Sequence, residues 1–261
     1  MPSPSGAKSS VLHVVSCRSS TECTAVGRYE NSEGIYLALA ERWNGTEWKV
    51  QTVPNPTGTK ESLLKGVSCT SSTACTADGW YVNSAGSTVT LAESWNGTEW
   101  KVQTTPNETG ATSSKLSGVS CTSSTACEAN GWYVTSEGSE LALAESWNGT
   151  EWKVQTVPKP TEAKDSILDG VSCYSSTDCT ASGTYEGSST SDATLAEHWN
   201  GTEWKVQSTP NVTEEFEGLK ATQPSALEGI SCPTATVCIT TGIYQNDSGE
   251  PSWETMAEKS S

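Results

Sequence analysis

The sequence predicts an all-β chain folded as a five-bladed β-propeller, with about 52 residues and four antiparallel strands per blade and a last blade that lacks its outer strand. Three observations predict it. The decapeptide WNGTEWKVQT recurs letter for letter from Trp43, Trp95, Trp147 and Trp199. The ten cysteines fall as five C-x5-C pairs, and these recur after 52, 52, 52 and 59 residues. No part of the repeat carries the 3.6-residue apolar period of a helix, and a period near 50 with short β-prone runs marks a propeller blade rather than a helical solenoid.

One repeat is read as four strands. The first is LxGVSC, as in Leu64 to Cys69, followed by the Ser/Thr-rich loop between the cysteines. The second runs from Cys75 through Tyr81, and a polar loop, VNSAGS, leads to the third, TVTLAESW. Asn96-Gly97 is expected to make a two-residue type I′ turn, since both its central positions need positive φ. The fourth strand is EWKVQT, ended by a Pro-containing linker such as Thr105-Pro106-Asn107 that cannot continue a ladder. The two Trp residues of each decapeptide then stand on facing strands and cover one face of the hairpin. One such sheet cannot bury both faces, so neighbouring sheets must stack around a ring. The chain is expected to be a single domain over 1–261, with blades at about 10–53, 62–105, 114–157, 166–209 and 225–261.

The spacing of the cysteines predicts five local disulfides, Cys17–Cys23, Cys69–Cys75, Cys121–Cys127, Cys173–Cys179 and Cys232–Cys238, in preference to free buried thiols. Zinc is disfavoured, because zinc knuckles use shorter spacings and only His13 and His198 are on hand as further ligands. Disulfides place the working protein outside the reducing cytosol, secreted or at the cell surface. The formal charge of −16 argues against a nucleic-acid partner and against an anionic membrane face. No apolar run approaches the length of a spanning helix, so membrane insertion is not expected. The opening MPSPSGAKSS lacks the marks of a signal peptide and matches the linker VPNPTGTKES, which suggests a mature form or an excised segment.

The fifth repeat ends at Met256-Ala257-Glu258, aligned with the Leu-Ala-Glu of the third strand, and no decapeptide follows. A three-stranded last blade in a closed ring is expected. Its uncovered third strand is an edge through which the chain self-associates. Repeats of the form GVSC-x5-C…G-x-Y…LAE-x-WNGT-x-W-x-VQ resemble those of secreted bacterial β-propeller-type repeat proteins. The resemblance covers nearly the whole chain and implies architecture and secretion only, with no catalytic residue to carry over.

Repetition separates structure from function. A residue present in every blade, such as Glu41, Glu93, Glu145, Glu197 and Glu258, serves each blade, either bonded to a neighbouring strand or as a five-fold acidic ring. There is no G-x-S-x-G, HExxH, phosphate loop or calcium loop, so no enzyme, no metal and no cofactor is expected. The leading reading is a secreted, non-catalytic binding module, lectin-like and multivalent, with a glycan or a surface protein as partner. Its candidate contacts lie where repeats diverge, on the face of the second-to-third-strand loops and inter-blade linkers: Trp80, Tyr81, Asn83, Trp132, Tyr133 and Phe216. Sugar rings stack on such aromatics, with Asn83 or Asn130 hydrogen-bonding, although wedge filling between blades explains the same Trp residues. A structural or protein-interaction scaffold of the cell surface is the alternative. A polysaccharide-acting enzyme using Glu215 or Glu217 is the third reading.

Overall fold

The computed structural model describes residues 1–161, 163–187, 192–209, 211, 213–216, 219–222, 224–246 and 252–260, without side chains for the strands 213–216 and 219–222 or for residues 246, 252, 253, 258 and 260. It is a five-bladed β-propeller with no helix among the described residues. Blade one is β1 (Ser9–Ser19), β2 (Glu22–Glu30), β3 (Tyr36–Trp43) and β4 (Trp48–Gln51). Blade two is β5 (Glu61–Ser71), β6 (Ala74–Val82), β7 (Thr88–Trp95) and β8 (Trp100–Gln103). Blade three is β9 (Ser113–Ser123), β10 (Ala126–Val134), β11 (Glu140–Trp147) and β12 (Trp152–Gln155). Blade four is β13 (Ala163–Ser175), β14 (Asp178–Gly187), β15 (Ala193–Trp199) and β16 (Trp204–Gln207). The longer linker that follows holds a small hairpin, β17 (Thr213–Phe216) with β18 (Leu219–Thr222). Blade five is β19 (Ser225–Thr234), β20 (Val237–Asn246) and β21 (Ser252–Ser260), three strands as the sequence predicts.

All five disulfides form, with Cα atoms 3.9 to 4.0 Å apart. Each ties the end of an inner strand to the start of the next, so closing this short loop contributes about 2 kcal/mol per blade.

The decapeptide turn differs from the two-residue form. Trp95 pairs directly with Trp100, which leaves a four-residue loop, Asn96–Glu99. Asn96 Oδ1 accepts from the Thr98 N–H (2.9 Å), the Thr98 hydroxyl (2.7 Å) and the Glu99 N–H (3.0 Å), while Gly97 alone carries φ of +96°. Asn is thus chosen for its side-chain acceptor rather than for a left-handed backbone. Beside the loop the two indoles pack tilted against each other, with ring centroids 5.7 to 5.9 Å apart in all four hairpins.

The core lies between blades. Val26, Ala38 and Ala40 of blade one pack on Leu64, Val67, Leu91 and Trp100 of blade two, and equivalent layers join blade two to three and three to four. Two hydrogen bonds repeat with the layers. The Cys69, Cys121, Cys173 and Cys232 N–H groups donate to Ser16, Ser68, Ser120 and Ser172 Oγ at 2.9 to 3.0 Å. Trp100, Trp152 and Trp204 Nε1–H donate to Gln51, Gln103 and Gln155 Oε1 of the preceding blade at 2.7 to 3.0 Å.

The seam between blades five and one is looser than these layers. Val15 is 53% exposed, against 7%, 8% and 9% for its counterparts Val67, Val119 and Val171. On blade five Ile239, Thr241 and Ala257 face solvent, and among the described residues no hydrogen bond joins the two blades. The middle of blade one nonetheless stays covered, with Leu39 and Glu41 buried.

Candidate functional site

The four described repeat carboxyls are buried inside the fold rather than exposed at an edge. Glu41, Glu93, Glu145 and Glu197 are fully buried between blades, and at least one oxygen of each lacks a hydrogen-bond partner. Burial pushes Glu93 and Glu197 up to about 8. It does the same for Glu145, with the Thr90 hydroxyl pulling against the shift and the Asp78 carboxyl adding to it. Burial thus favours the uncharged form of these three carboxyls. The Glu258 side chain lies outside the described residues.

On the face formed by linkers and second-to-third-strand loops, the structure joins Trp80 and Trp132 through a cation. Lys115 Nζ sits 5.0 Å from the Trp80 ring and 4.7 Å from the Trp132 ring, so one amine lies against both indoles. Tyr81 and Tyr133 are packed instead against the apolar layers between blades one and two and between blades two and three. Asn83 Oδ1 is taken up by its own turn, accepting from the Ser87 N–H at 3.0 Å. Asn130 is fully buried and faces no open surface. Phe216, Glu215 and Glu217 lie outside the described side chains.

Tyr133 has a second surroundings. It lines a cavity of about 650 Å³ between the linker at Pro106–Thr109 and the outer strand of blade three, together with Asn107, Glu108, Lys153 and Gln155. Burial and the Glu108 charge both push the Tyr133 phenol upward, so it stays a hydroxyl donor at any physiological pH. The cavity thus offers an aromatic edge, a phenol, the Asn107 amide, a carboxylate and an amine around one space, the Gln155 amide being engaged by Trp204 and Glu128. That mixture of donors and acceptors suits a neutral polyhydroxylated ligand.

The opposite face carries grooves between blades that sequence reasoning passed over. One of about 150 Å³ lies between blades two and three, and one of about 290 Å³ between blades three and four, both walled by Trp147. Between blades one and two the equivalent groove is nearly closed, because Arg42 lies 5.6 Å from the Trp95 ring and pairs with Glu22 at 3.9 Å. The groove between blades three and four contains Glu128, which stands where blades one, two and four have Thr24, Thr76 and Thr180 and blade five has Ile239. Burial pushes Glu128 up to about 8 while Gln155 Nε2 donates weakly to it at 3.5 Å. The signal was available: blade three alone reads Cys-Glu-Ala after its second cysteine where blades one, two and four read Cys-Thr-Ala.

His198 is held by Asp178, with Nε2 and Oδ1 3.0 Å apart, on the cysteine-loop side of blade four. Among the described residues no three His, Cys, Asp or Glu side chains come together as a metal site.

No protein-family model matches the chain, and no curated protein matches it in sequence. Solved structures do resemble it in shape. The fucose-specific lectin from Aleuria aurantia is 12% identical, with a TM-score of 0.50 over 95% of this chain and 77% of that one. AofleA from Arthrobotrys oligospora is 10% identical, with a TM-score of 0.54 over 98% and 76%. A Hadza microbial sialidase, Hz136, is 9% identical, with a TM-score of 0.55 over 93% of this chain and 51% of the sialidase. At such identities the likeness establishes the propeller fold alone.

Proposed function

We propose that the protein is a secreted, non-catalytic glycan-binding propeller whose principal contact is the blade-three cavity at Tyr133. The observation that carries this reading is the cavity itself: about 650 Å³ of space with a phenol, amide and carboxylate groups arranged around it. The five disulfides support an extracellular setting. The propeller likeness to a fucose-specific lectin supports a carbohydrate ligand by fold analogy. Trp80 and Trp132, braced by Lys115, add an aromatic rim beside the same face. The grooves between blades are lined by hydroxyls and Trp147 and provide further weak contacts, so several sites act together on a multivalent glycan.

A glycan array followed by calorimetry tests this. Binding of a neutral oligosaccharide is expected, weakened about tenfold by Tyr133→Ala through loss of stacking and one hydrogen bond. Silence across a broad array, or unchanged affinity in Tyr133→Ala, contradicts the reading.

A second reading, a surface scaffold that self-associates, is favoured by one observation: the exposed apolar residues at the seam, Val15 and Ile239. Concentration-dependent light scattering, abolished by Ile239→Lys, is its expected signature.

A further inference from the structure

Each inner strand carries the pattern x-Leu-X-(Gly/Val)-(Val/Ile)-Ser-Cys, and X is His13, Lys65, Ser117, Asp169 and Glu228 in the five blades. The residue is polar every time and never the same twice, inside a motif otherwise copied almost unchanged. The ladder register explains where it points. Against β2, β6, β14 and β20, pairing steps from Leu12 to Val14, Leu64 to Gly66, Leu168 to Gly170 and Leu227 to Gly229, and the same shift in β9 skips Ser117. Each X is therefore the extra residue of a β-bulge, a device that re-aims a side chain out of the sheet. On the innermost strands of a propeller that direction is the central axis.

The strands crowd together at this level. A Cβ on Gly66 would lie 2.9 Å from the Gly118 Cα, and one on Gly118 would lie 3.4 Å from the Asp169 carbonyl oxygen. Opposite three of the bulges stand Asp78, Asn130 and Ser182, all fully buried; the Asn130 amide and the Ser182 hydroxyl have no hydrogen-bond partner among the described residues, while the Gly66 backbone N–H reaches the Asp78 carboxyl. Unpartnered buried polar atoms behind a ring of polar side chains mark a level of the fold built for something other than packing.

The charges are sorted around the ring. Blades one and two bring His13 and Lys65, blades four and five bring Asp169 and Glu228, and Ser117 stands between them. They feel one another: burial, then the Lys65 charge and then Arg28 push His13 down, while burial and Glu228 push Asp169 up to about 6 against the pull of Lys65. Yet none of His13, Lys65, Asp169 and Glu228 takes part in an ion pair among the described residues. Donors from blades one and two and acceptors from blades four and five thus share one level of the fold without pairing.

We propose that the axial channel at the bulge level binds one small zwitterion per chain, its carboxylate on Lys65 and His13 and its ammonium on Asp169 and Glu228. None of these residues lines the blade-three cavity, so this site and the glycan reading stand or fall separately.

The probes are ω-amino acids of increasing length, glycine, β-alanine, 4-aminobutyrate and 6-aminohexanoate, followed by ligand-observed NMR and calorimetry at neutral pH. Expected is one equivalent bound per chain, an optimum at one chain length, and weaker binding of acetate or ethylammonium alone. Lys65→Met and Asp169→Asn each lower the affinity about tenfold, the worth of a hydrogen bond to a charged group. Ser117→Trp, which fills the channel without changing charge, abolishes binding, and unchanged melting temperatures show that the three variants fold. Absence of binding by every probe at tens of millimolar overturns the proposal. So does binding that survives all three substitutions, or acetate binding as well as the best amino acid.

Discussion

The layer between blades two and three and the seam between blades five and one receive nearly the same residues from blades three and one, yet only the first is closed. Trp152 is 4% exposed and donates to Gln103, whereas the identical Trp48 of blade one is half-buried and has no Gln to receive its N–H, because blade five lacks the outer strand that would supply one. Val119 is covered and Val15 is not. The decapeptide therefore does not carry its own burial. A neighbour confers it, and the same ten letters have different energetics in blade one and blade three.

The comparison is broken most decisively by paired substitutions. Trp152→Ala should cost about 3–5 kcal/mol, as for a large aromatic deleted from a packed core. Trp48→Ala should cost about 1–2 kcal/mol, since much of its surface is already in water. Equal losses in urea titrations would remove the distinction between layer and seam. Next in size, removing one bridge by Cys121→Ser with Cys127→Ser should cost about 2 kcal/mol by relaxing the unfolded chain. Smaller again, Gln103→Ala strands the buried Trp152 N–H and should cost about 1 kcal/mol or somewhat more, measured the same way. Smallest is Lys153→Ala. Its 2.8 Å pair with Glu151 is exposed on both sides, and no change in melting temperature is expected.

The architecture was legible because repetition exposes it. Cysteine spacing located the inner-strand ends, the decapeptide located the outer hairpins, and its absence after Glu258 foretold the three-stranded blade. The turn was misread because Asn-Gly has two uses, and only coordinates distinguish a left-handed backbone from an Asx acceptor. The repeated glutamates were misplaced because a strand pattern gives the alternation of faces but does not show how tightly the next sheet covers each one. Among the candidate contacts, Tyr133 could be picked from the sequence but its cavity could not, since the Pro106–Thr109 linker that walls it is distant in the chain. Glu128 and the series from His13 to Glu228 needed a different question, namely where near-identical repeats disagree. The bulge that gives that disagreement a direction is a property of ladder register and leaves no mark on the residues themselves.

From blade one to blade four, neighbouring blades seal the layer between them against water, and the buried acids report it most directly. Asp78, Glu93, Glu128, Glu145 and Glu197 are pushed up to about 8 by burial, far above the roughly 4 of the same groups in an unfolded chain. A folded state that holds protons the unfolded state releases is favoured at low pH. The contribution is whole below about pH 4 and is lost as pH rises through about 8. Urea unfolding measured from pH 5 to pH 9 should therefore show stability falling steadily and levelling near the top of the range, with Glu145→Gln flattening the slope. Stability that rises between pH 5 and pH 8, or a slope unchanged in Glu145→Gln, would mean that water reaches these carboxyls and that the layers are not sealed.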